Sequence, residues 1–291
     1  MGPQWWILAR SARSGWELGA IQVPVVHVTG SENRLTVSVL PDIIRLVRQE
    51  DIWDADAAQR YDTPGAGTFA PEVLGPTVQR LAELAGDGRA LEFAIGTGRV
   101  AVPLAQRGVP VTGIELSQPM IEQLRTKVDE ASIPVVLGDM ATARAPGEYT
   151  LVYLVFNAIS NLLTQAEQVA CFHNAARHLK RGGRFVVELW VPELRKLPPG
   201  QTAVVFQSEL GYIGLDTYDV LHQLVVSHHF TFDNGKEARV FRSPHRYIWP
   251  AELDLMGQLA GFELETRHAD WAGNEFTAES RSHVSVYRLA S

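Results

Sequence analysis

Residues 92–99 read EFAIGTGR, and this octapeptide carries the strongest structural signal in the chain. The run from Arg89 to Ile95 predicts a buried β-strand, and Gly96-Thr97-Gly98 predicts a tight turn that leads into a helix. Glycines let the backbone come close to a ligand because they carry no Cβ. Open parallel sheets bind ligands at the carboxyl ends of their strands, so the sequence predicts a ligand site at this turn.

Helix and strand patterns alternate from Asp51 onward, which is typical of a parallel sheet covered by helices on both faces. The predicted strands are 89–95, 111–116, 134–137, 149–156 and 184–190, followed by a closing pair at 262–266 and 283–288. We therefore predict an α/β fold built on a doubly wound, seven-stranded, mostly parallel sheet with one antiparallel strand.

Several helix signals fall between these strands. Thr164 and Glu167 form a capping box, and we expect the helix that follows to run as far as Gly182-Gly183. Pro250 marks the start of a later helix. Pro103 lies in the helix after the glycine turn, where it would cost ~3 kcal/mol unless it falls within the first helical turn.

The pattern changes between about residues 200 and 248, where apolar residues alternate with more polar ones along 224–232. Asp233-Asn234-Gly235 is a hairpin signal. We predict an antiparallel β insert here, with His222 and His228 on its apolar face. Each histidine is either a base or acceptor contact or an ordinary packing residue, and the insert could also supply the edge of a homodimer.

Carboxylates accompany three successive predicted strands. Glu92 lies on the first strand, Glu115 ends the second, and Asp139 follows the third. A carboxylate can accept two hydrogen bonds from a ribose diol, so this arrangement suits a nucleoside beside the glycine turn. The turn also satisfies the dinucleotide pattern G-x-G-x-x-A through Ala101, which leaves an NAD(P)-dependent oxidoreductase as an alternative.

With these residues the chain resembles the class I S-adenosylmethionine-dependent methyltransferases, over roughly residues 51–291. The glycine turn, the two downstream acids and the stretches 156–162 and 181–184 follow the family's order. The resemblance implies a Rossmann-like fold, S-adenosylmethionine as cofactor, and the type of small-molecule methyltransferase common in actinobacterial metabolism.

The resemblance also assigns residues to parts of the cofactor. Glu92 and the glycine turn would face the methionine part, Glu115 the ribose hydroxyls, and Asp139 with the Met140 backbone the adenine. The whole implied cofactor-binding set is Glu92, Ala94, Gly96, Thr97, Gly98, Glu115, Leu116, Asp139 and Met140. The family often has glycine where this chain has Ala94, and we expect alanine to be tolerated there in a strand-end conformation.

The candidates for catalysis or acceptor contact are Asn157, Glu188, Tyr61, His222 and His228. Asn157 and Glu188 end predicted strands at the cleft edge, yet either could simply cap a turn. Tyr61 resembles an aromatic residue that covers the pocket in related enzymes, although a solvent-side tyrosine fits the sequence as well. We expect Tyr61 and the insert to form the acceptor side. Methyl transfer depends mainly on orientation and exclusion of water, so no catalytic metal is expected.

Composition narrows the choice of partners. A formal net charge of -7 opposes binding to nucleic acid or an anionic membrane, and no apolar run reaches the roughly 18 residues of a spanning helix. The single cysteine, Cys171, favours a reducing compartment, so the cytoplasm is the expected location. A small molecule is therefore the expected partner.

The chain is predicted to divide near residue 50. Residues 1–49 lack a persistent period and form an N-terminal extension of unknown role, whereas residues 50–291 form the methyltransferase domain with its insert. The sequence leaves open whether nitrogen, oxygen or carbon accepts the methyl group. A non-catalytic nucleoside-binding module is a second alternative.

Overall fold

The computed structural model describes residues 52–65, 67–233 and 237–290. The predicted extension, residues 1–49, lies outside these ranges, as does the Asn234-Gly235 part of the hairpin signal. Within the described ranges, none of the helices has the length and apolar character needed to cross a membrane.

A seven-stranded sheet forms the centre of the protein, with the strand order β10-β11-β5-β4-β1-β2-β3. Its strands are β1 Ala90–Phe93, β2 Val111–Glu115, β3 Val135–Leu137, β4 Tyr149–Leu154, β5 Leu179–Trp190, β10 Phe262–His268 and β11 Ser282–Leu289. Strand β11 runs antiparallel to both β5 and β10, and the other neighbours pair in parallel. The predicted doubly wound, mostly parallel sheet with one antiparallel strand is confirmed.

The sheet reverses its winding between β1 and β4. Strand β1 pairs with β2 on one side and with β4 on the other, so the chain builds outward in both directions from this strand pair. Doubly wound sheets bind ligands at the carboxyl ends of the strands beside such a reversal. The glycine turn that follows β1 lies at this edge.

Helices cover both faces of the central sheet. In the described residues they are α1 Ala55–Tyr61, α2 Pro71–Ala85, α3 Ala101–Gln106, α4 Gln118–Arg125, α5 Gln165–His178 and α6 Pro250–Leu259. On one face, Phe172 of α5 and Leu253 of α6 join a core with Phe93. On the other, Leu81 of α2 and Leu104 of α3 pack in a second core.

Two local helix signals act as predicted. At the start of α5, Thr164 Oγ1 accepts from the Glu167 amide at 3.2 Å, and the Glu167 carboxylate accepts from the Thr164 amide at 2.9 Å. Pro103 is the third residue of α3, where an amide would have no helical partner. Both the capping box and the position of Pro103 within the first turn are confirmed.

The helix predicted to run to Gly182-Gly183 instead ends at His178. Strand β5 begins with the next residue and already includes both glycines. The register of β5 against β4 shifts near the start of the pairing, and the left-handed Gly182, with φ +71°, belongs to the irregular segment. The glycine pair therefore serves a bulged strand and does not cap the helix.

The antiparallel insert is a separate four-stranded sheet with the order β6-β7-β8-β9. Its strands are β6 Ala203–Glu209, β7 Tyr212–Asp219, β8 Leu224–Asp233 and β9 Glu237–Arg246. The insert leaves the core after Trp190, at the end of β5, and rejoins it at Pro250, at the start of α6. An antiparallel sheet between β5 and α6 is thus confirmed, whereas the domain boundary near residue 50 stays a prediction.

Candidate active site

The glycine turn after β1 is shaped by two residues with positive φ. Gly96 has φ +56° and Gly98 has φ +79°, values that residues with a Cβ rarely adopt. A Cβ at Gly98 would lie 2.3 Å from Leu124 Cδ1, so packing also requires this glycine. A Cβ at Gly96 would meet nothing closer than the Ala94 carbonyl oxygen at 4.0 Å. The space in front of Gly96 is therefore open to a ligand.

Ala94 begins this turn with a φ of +52°. The expectation of an ordinary strand-end conformation is wrong, because β1 ends at Phe93 and Ala94 already lies in the left-handed region. That region costs an alanine roughly 1–2 kcal/mol. The strain gives a physical reason why glycine suits this position.

Two backbone amides hold the carboxylate of Glu115 at the end of β2. Its Oε2 accepts from the Gly96 amide and its Oε1 from the Ser117 amide, both at 2.8 Å. Burial raises the pKa of the Glu115 carboxyl, and these backbone hydrogen bonds oppose the shift. An ionised carboxylate has about four acceptor positions, so about two remain for a ligand.

Glu92 is buried on β1, with 2% of its surface exposed. The Tyr153 hydroxyl on neighbouring β4 donates to Glu92 Oε2 at 2.8 Å. Burial raises the pKa of Glu92 to about 8, although the Tyr153 hydrogen bond and the positive charge of Arg99 act in the opposite direction. At neutral pH the Glu92 carboxyl is therefore mostly protonated and uncharged.

Asp139 and its neighbours form the third part of this edge. Asp139 Oδ1 accepts from the Ala141 amide at 2.7 Å, which orders the turn after β3. Met140 is buried, whereas Leu116, directly after β2, is 39% exposed. Leu116 thus offers an apolar surface at the same edge as the acids.

An N-terminal strap, defined as residues 52–65 and 67–70, is tied to the glycine turn. Thr97 Oγ1 donates to Asp62 Oδ1 at 2.5 Å, and Lys127 Nζ pairs with Asp62 Oδ2 at 2.5 Å. A third tie is formed by Ser117 Oγ, which donates to a strap carbonyl oxygen at 2.6 Å. The Thr97 side chain therefore binds the strap, and only its backbone remains available to a ligand.

Tyr61 is the last residue of α1 and lies within the strap. Its ring packs edge-on against Trp53 and Phe69, with centroid distances of 5.9 and 6.1 Å. Burial raises the pKa of Tyr61, the nearby Arg99 lowers it, and nearby carboxyls raise it further. The hydroxyl therefore stays protonated at neutral pH. The structure brings Tyr61 close to Arg99, Glu92 and Glu115, and its role on the acceptor side stays a prediction.

Arg99 is a site residue that the sequence analysis did not assign. It is 9% exposed, and its Nη1 donates to the Thr68 carbonyl of the strap at 3.1 Å. Its guanidinium carbon lies 5.9 Å from the ring centroid of Phe69 and 5.2 Å from that of Phe156. The position of Arg99 directly after Gly98 was the signal that could have identified it.

The turn after β4 contains two consecutive residues with positive φ, Phe156 at +53° and Asn157 at +61°. Glu188 Oε2 accepts from the Phe156 amide at 2.7 Å, and Asn157 Oδ1 accepts from the Trp190 amide at 2.6 Å. The two predicted cleft residues thus brace a strained turn. In the described part of the chain, no hydrogen bond is made by Glu188 Oε1 or by Asn157 Nδ2.

The two predicted histidines do not share a face of the insert. His222 lies in the turn between β7 and β8, its side chain is 63% exposed, and its Nδ1 is 2.7 Å from Asp219 Oδ2. The strand-face position expected for His222 is wrong because the chain turns at residues 220–223. His228 is buried in β8 with its Nε2 2.9 Å from Thr217 Oγ1. Burial lowers the pKa of His228 to about 4, so its ring is neutral.

The sheet, the glycine turn and the strand-end acids together define a doubly wound protein with a nucleoside-type site. The family described as "Methyltransferase domain" matches residues 90–183. The CcbJ methyltransferase from Streptomyces caelestis is 37% identical, with a TM-score of 0.71, and the match covers 81% of this chain and 96% of that one. The chain belongs to the class I S-adenosylmethionine-dependent methyltransferases.

Two further relatives also come from the genus Streptomyces. The cypemycin N-terminal methyltransferase of a Streptomyces species is 26% identical, over 81% of this chain and 96% of its own length. The dTDP-3-amino-3,4,6-trideoxy-alpha-D-glucopyranose N,N-dimethyltransferase of Streptomyces venezuelae is 31% identical, over 34% of this chain and 41% of its own length. The family and the cofactor expected from the sequence are confirmed.

We predict that Ala94→Gly raises the free energy of unfolding by about 0.5–1 kcal/mol. Glycine removes the cost of the left-handed conformation, and its greater freedom in the unfolded chain offsets part of that gain. Urea denaturation measures the difference. Ala82→Gly, within α2, is the matched control and is expected to destabilise by about 1 kcal/mol. A loss of that size at Ala94 would contradict the assignment of strain.

Proposed function

We propose that the protein transfers the methyl group of S-adenosylmethionine to a nitrogen atom of a small-molecule acceptor. The observation that carries the proposal is the Glu115 carboxylate, which two amides hold in place while acceptor capacity remains. A pair of ribose hydroxyls can donate to this carboxylate without displacing either amide. The amide of Gly96, which borders the open space of the turn, is one of the two.

The other residues at this edge fit the remaining parts of the cofactor. Glu92 would face the ammonium of the methionine tail, because a protonated buried carboxyl can ionise when a cation arrives. Asp139 with the Met140 backbone would bind the adenine, and Leu116 would pack against it. When bound, S-adenosylmethionine supplies a methyl group activated by a sulfonium cation.

Tyr61, Asn157 and Glu188 are our candidates for orienting the acceptor. The Tyr61 hydroxyl is protonated at neutral pH, so it can hydrogen-bond to an acceptor but does not serve as a base. Asn157 Nδ2 would donate to the acceptor. Glu188 Oε1 would take the proton that an amine nitrogen loses as it gains the methyl group.

A nitrogen acceptor is supported by the relatives and by the charge state of the site. One relative is named as an N,N-dimethyltransferase and another as an N-terminal methyltransferase. An uncharged amine is already a nucleophile and needs no strong base, which suits a site whose Tyr61 and Glu92 are protonated at neutral pH. An alcohol acceptor would place a greater demand on a general base.

We also propose that the insert provides the wall of the acceptor pocket and the edge of a homodimer. Strands β6 and β9 are the outer strands of the described sheet, and Val205, Val240 and Phe241 on them are exposed. Apolar residues on edge strands favour pairing with a second chain.

Light scattering measures the oligomeric state. We expect the mass of a dimer for the wild type, and Phe241→Glu should shift the measured mass to that of a monomer. A monomeric wild-type protein would overturn the dimer proposal.

Titration calorimetry with three ligands tests the proposed function. We expect binding of S-adenosylmethionine and S-adenosylhomocysteine, and weak or no binding of NAD. Transfer of labelled methyl groups into a panel of small amines then measures turnover. Tighter binding of NAD would favour an NAD(P)-dependent oxidoreductase, and binding without turnover across amine, hydroxyl and carbon acceptors would favour a non-catalytic module.

Calorimetry on the Glu115→Ala variant tests the proposed role of the Glu115 carboxylate in cofactor binding. We expect cofactor binding to weaken by roughly 1.5–3 kcal/mol, because a charge-assisted pair of hydrogen bonds is lost. Glu122→Ala, an exposed carboxyl on the next helix, is the matched control and should bind normally. Circular dichroism establishes that both variants fold. Unchanged affinity in folded Glu115→Ala would remove Glu115 from the site.

We predict that cofactor binding releases a proton near pH 7. Glu92, with its pKa raised to about 8, is protonated without ligand and would ionise beside the ammonium of the cofactor. Calorimetry in buffers of different ionisation enthalpy should report up to one proton, and less above pH 8. Glu92→Gln should abolish the release, and a buffer-independent enthalpy in the wild type would contradict the assignment.

The raised pKa of Glu92 also predicts how the free energy of unfolding changes with pH. The folded-state pKa of Glu92 lies above the ordinary value of 4.5, so its contribution to stability is fully present below about pH 4.5 and is lost as pH rises toward 8. Relative to the wild type, Glu92→Gln should therefore become more stable between pH 5 and 8, which urea denaturation at several pH values measures. A parallel pH dependence of the two proteins would contradict the shift.

A further inference from the structure

Arg99 is a buried cation, and the described residues engage few of its donors. Among these residues it makes one hydrogen bond, from Nη1 to the Thr68 carbonyl oxygen. A guanidinium carries five N–H donors in a planar fork, so most of those on Arg99 are not engaged by the described residues. The rings of Phe69 and Phe156 both contact the guanidinium. These contacts restrict its motion but do not neutralise its charge.

Two other arginines, the buried Arg246 and the partly buried Arg267, differ from Arg99 in having carboxylate partners. Arg246 pairs with Glu252 at 2.7 Å, and Arg267 pairs with Asp254 at 2.5 Å. Among the described residues, no carboxylate oxygen lies within 4.0 Å of the Arg99 nitrogens. An unpaired buried charge is costly, so an anion from outside these residues would complete the site.

The ionisable groups around Arg99 do not supply that anion. Glu92 is close enough to feel the charge of Arg99, yet burial raises the pKa of Glu92 to about 8. Burial likewise raises the pKa values of Tyr61 and Tyr153, which also interact with Arg99. All three groups are therefore mainly protonated at neutral pH, and none of the three neutralises the charge of Arg99.

We propose that Arg99 binds a carboxylate through two parallel hydrogen bonds, and that this carboxylate belongs to the methionine tail of the cofactor. The inference rests on the proposed function. An α-amino acid carries an ammonium and a carboxylate, and Glu92 and Arg99 present the complementary acid and cation. Phe69 and Phe156 would keep the guanidinium plane in the orientation that this pairing needs.

A carboxylate on the acceptor is the other source of the same chemistry. Arg99 is adjacent in sequence to Gly98, and its hydrogen bond goes to the strap that is tied to the glycine turn. The acceptor candidates Asn157 and Glu188 lie after β4 and on β5, and Arg99 contacts that region through the ring of Phe156 but makes no hydrogen bond to it among the described residues. This position favours the cofactor as the source.

Calorimetry with two ligands tests the assignment. S-adenosylhomocysteine carries the amino-acid tail, whereas 5′-methylthioadenosine shares the nucleoside but lacks that tail. Arg99→Met should weaken binding of S-adenosylhomocysteine roughly 10- to 100-fold and leave 5′-methylthioadenosine within about twofold. Arg99→Lys keeps the charge but loses the fork, so we expect a smaller, still selective loss.

Lys127→Met is the matched control, because it removes a tie to the strap without touching Arg99. It should change the affinity for both ligands by the same factor. Equal losses for both ligands in Arg99→Met and Arg99→Lys, or no loss in either, would overturn the assignment. An unchanged affinity for S-adenosylhomocysteine with a raised KM for the acceptor would overturn it in favour of an acceptor carboxylate. Wild-type protein that binds neither ligand would refute the proposed function itself, whereas the other failures leave that function intact.

Discussion

The Glu115 carboxylate is the contact on which the geometry of the site depends. It joins the turn after β1 to the N-cap of α4 through the amides of Gly96 and Ser117. Because Ser117 Oγ also donates to the carbonyl of Trp53, the same junction anchors the strap. Burying a carboxylate is unfavourable, and the two amides offset part of that cost. The loops after two strands and the strap are thus held in place by one side chain before any ligand binds. This preorganisation lowers the entropic cost of ligand binding.

Backbone strain is concentrated at the same edge of the sheet. Ala94 follows β1, and Phe156 with Asn157 follows β4, the two strands that flank the reversal of winding. Such conformations persist only where the surroundings enforce them, and here Glu188 and the Asn157 side chain provide hydrogen bonds that do so. Glu188 therefore positions the turn that carries Phe156, whatever further contact its second oxygen makes. The strain and its bracing are parts of one arrangement at the ligand-binding edge.

Much of the fold was predictable because its signals are local. The capping box at Thr164 and the buried strands are each encoded within a few residues, and the structure confirms them. A glycine pair such as Gly182-Gly183 suits both a helix end and a bulged strand, so only the pairing with β4 could decide between them.

The strap was not predictable because side chains distant in sequence hold it in place. Thr97 reaches Asp62, 35 residues away, and Ser117 reaches Trp53, 64 residues away. Neither contact leaves a periodic pattern in the chain.

The charged groups beside the glycine turn differ from those elsewhere in the protein. Away from the turn, Arg246 and Glu252 form an ion pair with each other. Beside the turn, Glu92 is uncharged and Arg99 has no carboxylate partner among the described residues. The ammonium of a bound ligand would favour ionisation of Glu92, and a carboxylate of the same ligand would neutralise the charge of Arg99. The charge pairing that other arginines obtain from neighbouring residues would thus come from the ligand at this site.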